Sequence, residues 1–212
     1  LESLEQIKGR IESAVPGAIL QIVPNGAPAP NPASLLVDNA HAVAVAKFLR
    51  DDSLLLLDFA SNVTAVDWLD SVVKQSTKSK QIVDGVEKEV ERTTEIKKPG
   101  FLEVVYHLYS VKLKHGPLVL RLRTADRAGG SHVASLTPVW RSAEFQEREA
   151  YDLYGVIFDG HPDLRRILMW DEYTDFPMRK DFVAPDDFEY EPTPHDDVLA
   201  RAKEHYPAGG AR

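Results

Sequence analysis

The chain has 212 residues, 43% of them apolar, enough for one cored domain with appendages or a domain plus a small subdomain. It contains no cysteine, which excludes thiolate-bound zinc, cysteine-held iron–sulfur clusters, a redox CxxC and a cysteine nucleophile. A formal net charge of −8 argues against general nucleic-acid binding. No run approaches the ~18 apolar residues of a membrane span, so membrane association is expected only through partners.

The opening LESLEQIKGRIE sets Leu4, Ile7, Ile11 and Val15 at three- and four-residue spacing, which predicts a helix over residues 2–15 that Gly17 ends. It is acidic and amphipathic, unlike a secretory signal, and the absent initiator methionine reads as processing or trimming. Ala18–Val23 predicts a strand, Pro24–Pro32 a loop and Leu35–Val37 a short second strand. Asp38 or Asn39 then caps a helix running through Arg50, with Val43, Val45, Ala46 and Leu49 on its apolar side. Leu54–Ala60 and Val63–Leu69 read as another strand with a continuation.

Twelve of the 25 residues from 74 to 98 are charged, with mixed sign. This stretch reads as a mobile loop or an exposed hairpin turning at Asp84-Gly85, an insertion without a role of its own. Beyond it, Tyr109, Val111 and Leu113 alternate with Ser110, Lys112 and Lys114. After His115-Gly116-Pro117, Leu118, Leu120 and Leu122 alternate with Val119, Arg121 and Arg123. The pattern predicts an antiparallel hairpin with one apolar and one basic face. Lys112, Lys114, Arg121 and Arg123 then form either a solvated face or a dock for acidic protein. A strand at His132–Leu136 is expected to complete the sheet.

This order predicts a two-layer α+β domain, with helices packed on one face of a mixed or antiparallel sheet and an extended C-terminal tail. The expected boundaries are residues 1–140 for the domain, 141–182 for a helix, turn and arginine-rich segment, and 183–212 for an acidic tail. Residues 171–212 hold eleven Asp or Glu against five Lys or Arg, so that region is expected to be disordered or laid along a partner.

From Ser142 the pattern is helical, with Gly155 as a left-handed stop. At about 100° per residue, Ala143, Ala150, Tyr151, Leu153 and Tyr154 share one side. Glu144, Arg148 and Asp152 form an i, i+4 ladder on the other, facing solvent or a partner. Glu147 falls on the apolar side, where a carboxylate must be paired or neutralised. Arg165 and Arg166 of HPDLRRIL are the nearest candidate partners, with Pro162 and Asp163 opening a short helix. The expected result is a Glu–Arg clamp that folds the segment back, with a partner interface as the alternative.

Catalytic readings fit less well. Glu147 and Glu149 at i, i+2 point apart on a helix and do not converge as an acid–base pair. His161 with Asp163 could begin a metal site, but no second clustered histidine accompanies them. There is no serine elbow, P-loop or GxGxxG.

EREAYDLYGVIFDGHPDLRRILM, residues 147–169, resembles the hallmark segment of the 30-kDa-type subunit of proton-pumping NADH:quinone oxidoreductase, respiratory complex I. The matching positions are Glu147, Arg148, Glu149, Tyr151, Asp152, Tyr154, Gly155, Phe158, His161, Pro162, Asp163, Leu164, Arg165 and Arg166. Tyr106-His107-Leu108, Thr137-Pro138-Val139-Trp140 and the FPMRKDF box (Phe176–Phe182) extend the likeness over roughly 101–182. Phe176 stands where the family often has histidine, and Phe145 where it commonly has tryptophan.

The resemblance implies a cofactor-free subunit of the peripheral arm, on the cytoplasmic face of the bacterial inner membrane. In such a complex FMN, iron–sulfur clusters and quinone belong to other subunits. The implied neighbours are the quinone-site B and D subunits and the ferredoxin-like, cluster-bearing I subunit. The Glu144–Arg148–Asp152 face, the Arg165/Arg166 turn and Arg179, Lys180 and Asp181 are expected to contact them. Two alternatives remain. One is the equivalent subunit of a membrane-bound hydrogenase, F420H2 dehydrogenase or plastid-type dehydrogenase. The other is an independent metal-dependent hydrolase using His161, Asp163 and Glu147.

Overall fold

The computed structural model describes residues 2–24, 33–83 and 86–183, with only the backbone described between 74 and 94. Leu1–Phe182 forms one compact unit. The Asp84-Gly85 turn, most of the Pro24–Pro32 loop and all but Val183 of the expected acidic tail lie outside the described residues.

Helix α1 (Leu4–Ala14) starts at a reciprocal cap: Gln6 N–H donates to Ser3 Oγ, and Ser3 N–H donates to Gln6 Oε1. Its Ile7 and Ile11 are fully buried against β1 (Leu20–Val23), β2 (Ser34–Val37) and α2 (Ala42–Asp51). Asp38 ties the β2–α2 corner by accepting from the Ile19 and His41 backbone N–H groups at 2.8 and 3.2 Å. Strands β3 (Phe59–Trp68), β6 (Phe101–Ser110) and β7 (His115–Arg123) complete a five-stranded sheet of order β1-β2-β7-β6-β3. Only the β2–β7 pair is parallel, so the sheet is mixed. The register aligns Leu35 with Leu120, Leu120 with Tyr106 and Tyr106 with Val63, which makes one continuous apolar face under the helices. The α+β architecture with helices on one sheet face is therefore as expected.

Four local expectations are corrected. Leu54–Ala60 is not strand throughout. Asp52 accepts the Leu54 and Leu55 N–H groups, Leu56 takes φ 40°, and β3 begins at Phe59. A short acidic side chain has captured backbone donors that a strand would need, while Leu55 and Leu57 still bury completely.

The β6–β7 turn comes earlier than the alternation suggests. Val111 N–H donates to Asp58 and Leu113 N–H to Ser110 Oγ, closing residues 111–114 as the turn. His115-Gly116-Pro117 therefore belongs to β7, and a Cβ on Gly116 would lie 2.6 Å from the Tyr109 ring. Lys112 and Lys114 sit in the turn, whereas Arg121 and Arg123 each hold the fully buried Glu103 carboxylate at 2.7 Å. The expected basic face is thus half consumed by an ion cluster, which Trp68 Nε1 joins at 3.2 Å.

The strand expected at His132–Leu136 does not extend the main sheet. β8 (His132–Ala134) pairs in parallel with β9 (Ile157–Asp159) as a separate ribbon. Of the two readings for residues 74–98, the hairpin holds for the backbone: β4 (Ser71–Val83) pairs antiparallel with β5 (Val86–Lys98). Their register sets Lys74, Lys78 and Lys80 opposite Glu95, Glu91 and Glu89.

Candidate functional site

Helix α3 (Glu144–Tyr154) follows a 3-10 turn at Arg141–Ala143 and packs on β3. Two side-chain bonds fix its entry. Ser142 Oγ donates to the Ala60 carbonyl, and Gln146 Oε1 accepts the Val63 N–H just past the Ala60/Asn62 register shift. The bulge frees a strand donor, and the helix supplies its acceptor.

Glu147 is fully buried, on the apolar side as the periodicity predicts. Its partners are not the arginines. Oε1 accepts from Tyr106 OH at 3.0 Å and Leu136 N–H at 2.9 Å, and Oε2 from Ser135 Oγ at 2.5 Å and Thr137 Oγ1 at 3.1 Å. Burial raises its pKa above the ordinary carboxylate value, with the hydrogen bonds from Ser135, Leu136, Tyr106 and Thr137 opposing that rise. Burial also pushes the Tyr106 phenol well up, and the adjacent carboxylate adds to it. Glu147 therefore pins α3 to β6 and to the 135–137 loop.

The Glu144–Arg148–Asp152 ladder is not a solvent face. Arg148 and Asp152 are 5% and 0% exposed because residues 163–169 fold back across them. The arginine clamp expected at Glu147 forms here instead, with Arg166 Nη1 on Asp152 Oδ1 at 2.6 Å. Asp152 Oδ2 accepts the consecutive N–H groups of Ile167, Leu168 and Met169 at 3.0, 2.6 and 2.9 Å. Burial opposes ionisation of Asp152, but those three amides and Arg166 outweigh it and hold the pKa below the usual range. Arg148 donates to the carbonyls of Arg165 and Arg166, both at 3.1 Å. One arginine thus binds the segment's carbonyls while one aspartate binds its amides.

The short helix expected at Pro162 is a turn. His161 Nδ1 accepts the Asp163 N–H at 3.0 Å, and Nε2 lies 3.0 Å from the Glu144 carbonyl, which fixes the Nε2–H tautomer. Both ring nitrogens are therefore occupied. Arg165 is exposed and pairs with Asp163 at 2.9 Å, while Glu149 is also exposed.

Gly155, at φ 75°, ends α3 as predicted and has a second role. A Cβ there would meet Phe176 Cζ at 2.6 Å and Arg179 Nη2 at 2.7 Å, so the FPMRKDF box lies directly on it. The Arg179 and Arg166 guanidinium groups lie 4.5 and 5.5 Å from the centre of the Phe176 ring. Met178 N–H donates to the Leu153 carbonyl, and Arg179 donates to the Tyr154 and Arg127 carbonyls. Lys180 N–H donates to Asp67, the Lys180 ammonium lies 5.7 Å from the Trp68 ring, and Asp181 pairs with Arg127 at 2.8 Å. Arg127 in turn forms a two-pronged pair with Asp67 at 2.7 and 2.8 Å. The box is a strap fastened to the domain.

Sequence reasoning missed Tyr106, Ser135, Thr137, Asp67, Arg127 and Glu103 as members of these clusters. Asp67 and Glu103 carried a signal: each stands in phase with apolar strand residues, Val63 and Ala65 for the first and Val105 for the second. Ser135 carried none, and Thr137 only its place in the Thr137–Trp140 likeness, because neutral hydroxyls become anion holders only when a carboxylate is folded onto them.

The arrangement offers little for acid–base work. The Glu147 carboxylate is bonded apart from His161 and Asp163, His161 accepts only the Asp163 backbone N–H, and among the described residues no three His, Asp or Glu side chains converge as metal ligands. The cleft beside the motif, about 410 Å³, is lined by Thr137, Pro138, Arg141, Glu144, Gly160 and Pro162, with Arg141 and Glu144 paired at 3.5 Å.

A model of the respiratory-chain NADH dehydrogenase 30 kDa subunit matches residues 35–188. The second NADH-quinone oxidoreductase C-type subunit of Rhizobium meliloti (strain 1021) is 39% identical over 141 residues, 66% of this chain and 60% of that protein. The NADH-quinone oxidoreductase C-type subunit of Legionella pneumophila (strain Paris) is 48% identical over 100 residues, 46% of this chain and 41% of that protein. The chain thus spans less than two thirds of the length of these relatives. Among solved structures, a chain of the membrane-bound sulfane sulfur reductase, an archaeal respiratory membrane complex, matches with a TM-score of 0.56 at 20% identity. That match covers 97% of this chain and 92% of the other, a likeness of fold.

Proposed function

The chain belongs to the respiratory-chain NADH dehydrogenase 30 kDa subunit family, and on that premise we propose that it is a non-catalytic subunit of the peripheral arm of proton-pumping NADH:quinone oxidoreductase. It braces the quinone-site B and D subunits and the ferredoxin-like I subunit while electrons pass from NADH to quinone. FMN and the clusters are carried by those and other subunits, and this chain binds none. It sits on the cytoplasmic face of the inner membrane and meets the bilayer only through its partners. Among the described residues no helix is long and apolar enough to cross a membrane.

The observation that carries this reading is the internal use of the hallmark charges. Glu147 and Asp152 are each fully buried and each held by at least four donors within the chain. Carboxylates so engaged stiffen a scaffold and have no lone pair to offer a substrate. The test is a Glu147→Gln variant in the host complex. The expected result is that whatever fraction assembles on a native gel retains its full NADH:quinone reductase rate per complex. Full assembly with a rate about tenfold lower would assign Glu147 to chemistry and refute the bracing role. The proteins that co-purify with the wild-type chain distinguish this complex from a hydrogenase-like relative.

A further inference from the structure

The segment that covers Asp152 has an outward side. Its three consecutive amides point inward to one carboxylate, and two of the side chains they carry, Ile167 and Leu168, turn outward. Ile167, Leu168 and Trp170 are 37%, 62% and 55% exposed, with Met169 half-buried between the last two, on a loop with no strand or helix of its own. Loops that serve only as connections place polar residues at such positions. The run is also stiff: Arg148 holds the carbonyls of Arg165 and Arg166, and Trp170 packs edge-on against the buried Tyr173 at 4.6 Å. An apolar knuckle fixed in advance loses little conformational freedom on binding, the property of a docking anchor.

The charge around it is one-sided. Arg148 and Arg166 are used internally, and Arg165 is offset by Asp163. Asp171, Glu172 and Asp175 are exposed next to the knuckle. We propose that Ile167–Trp170 is a docking knuckle that inserts into an apolar cleft of a partner protein whose rim carries lysine or arginine. This deepens the reading of the chain as a subunit and rests on it. Asp152 acts as the positioning residue, touching no partner itself but fixing the backbone that carries Ile167 and Leu168.

The experiment uses the full chain, affinity-tagged, in its host. A photo-crosslinking amino acid at Leu168 is expected to give one protein adduct, whose sequenced peptide is apolar with Lys or Arg within a few residues. Leu168→Glu and Trp170→Ala are expected to weaken retention of the chain in its complex about thirtyfold. Val111→Glu, an equally exposed apolar position on the β6–β7 turn, is expected to leave retention unchanged. The isolated Leu168→Glu variant should match wild type in circular dichroism and melting temperature, because Leu168 is 62% exposed, and it serves as the decisive variant since Trp170→Ala also removes the packing on Tyr173. Retention of Leu168→Glu at the wild-type level overturns the knuckle and leaves the subunit reading standing. An adduct with lipid or with a second copy of this chain also overturns the knuckle. A wild-type chain that co-purifies with no other protein of the complex overturns the subunit reading itself.

Discussion

Replacing Asp152 with asparagine tests the central feature of the motif. The substitution preserves volume and removes one charge from a site with no solvent access. Asparagine keeps one acceptor oxygen and turns the other into a donor amide. If the oxygen faces Ile167, Leu168 and Met169, the new NH2 points at the Arg166 guanidinium, 2.6 Å away in the native pair. If it is flipped, the NH2 faces the three backbone donors. Either way donors oppose donors, and Arg166, whose side chain is 10% exposed, retains as hydrogen-bond acceptors the carbonyls of Asp152 and Asp175. Breaking a buried pair from one side costs about 3–5 kcal/mol. Confined to the segment, that loss speeds hydrogen exchange of the 167–169 amides by about 10²–10³-fold. To the extent that the segment melts with the domain, the melting temperature falls by about 10 °C, at about 2–4 °C per kcal/mol for a unit of this size. Native-state exchange read by NMR separates the two. Unchanged protection of those three amides together with an unshifted melting temperature would show that the carboxylate does not hold the loop.

Gly155→Ala is expected to destabilise by about 2–4 kcal/mol, combining a left-handed φ with a Cβ driven into Phe176 and Arg179. Urea titration reads the loss, and near-UV circular dichroism should report loosening of Phe176. Glu147→Ala, which leaves four donors facing a void, should cost about 3 kcal/mol or more, whereas Glu147→Gln should cost far less because the Ser135 and Thr137 hydroxyls can rotate to accept. Glu147 has a raised pKa in the fold, so its contribution is fully present below its ordinary value near 4.5 and is lost as pH rises through the folded value. The Gln variant should therefore gain on wild type across that rise, and a pH-independent difference in urea midpoint would refute this. Asp152 and Asp67 have lowered values, so their contributions are present above about 3.8 and disappear as pH falls through the folded values. Acid unfolding of Asp152→Asn should consequently be shallower than that of wild type.

Much of the fold was legible because it rests on local periodicity. The three- and four-residue spacing in α1, the alternation Leu118, Leu120, Leu122 in β7 and the glycine stop at Gly155 each follow from the chain's own geometry and survive folding unchanged. So did the inward direction of Glu147, which one helical turn fixes. Boundaries were less legible where a short polar side chain captured backbone donors, as Asp52 does before β3 and Ser110 with Asp58 do after β6.

What only the tertiary structure decided was which charge meets which. Helical geometry placed Arg148 and Asp152 opposite the core, and in an isolated helix they would face water. The returning 163–169 segment makes a second interior there and surrounds the Asp152 carboxylate with four donors, as many as Glu147 has. Glu147 found neutral donors from β6, 41 residues away, and from the 135–137 loop, 10–12 residues away and unremarkable in type. Side-chain direction is a property of one element and can be read from its sequence. Pairing depends on two elements and the path between them, and long-range closure sets that path.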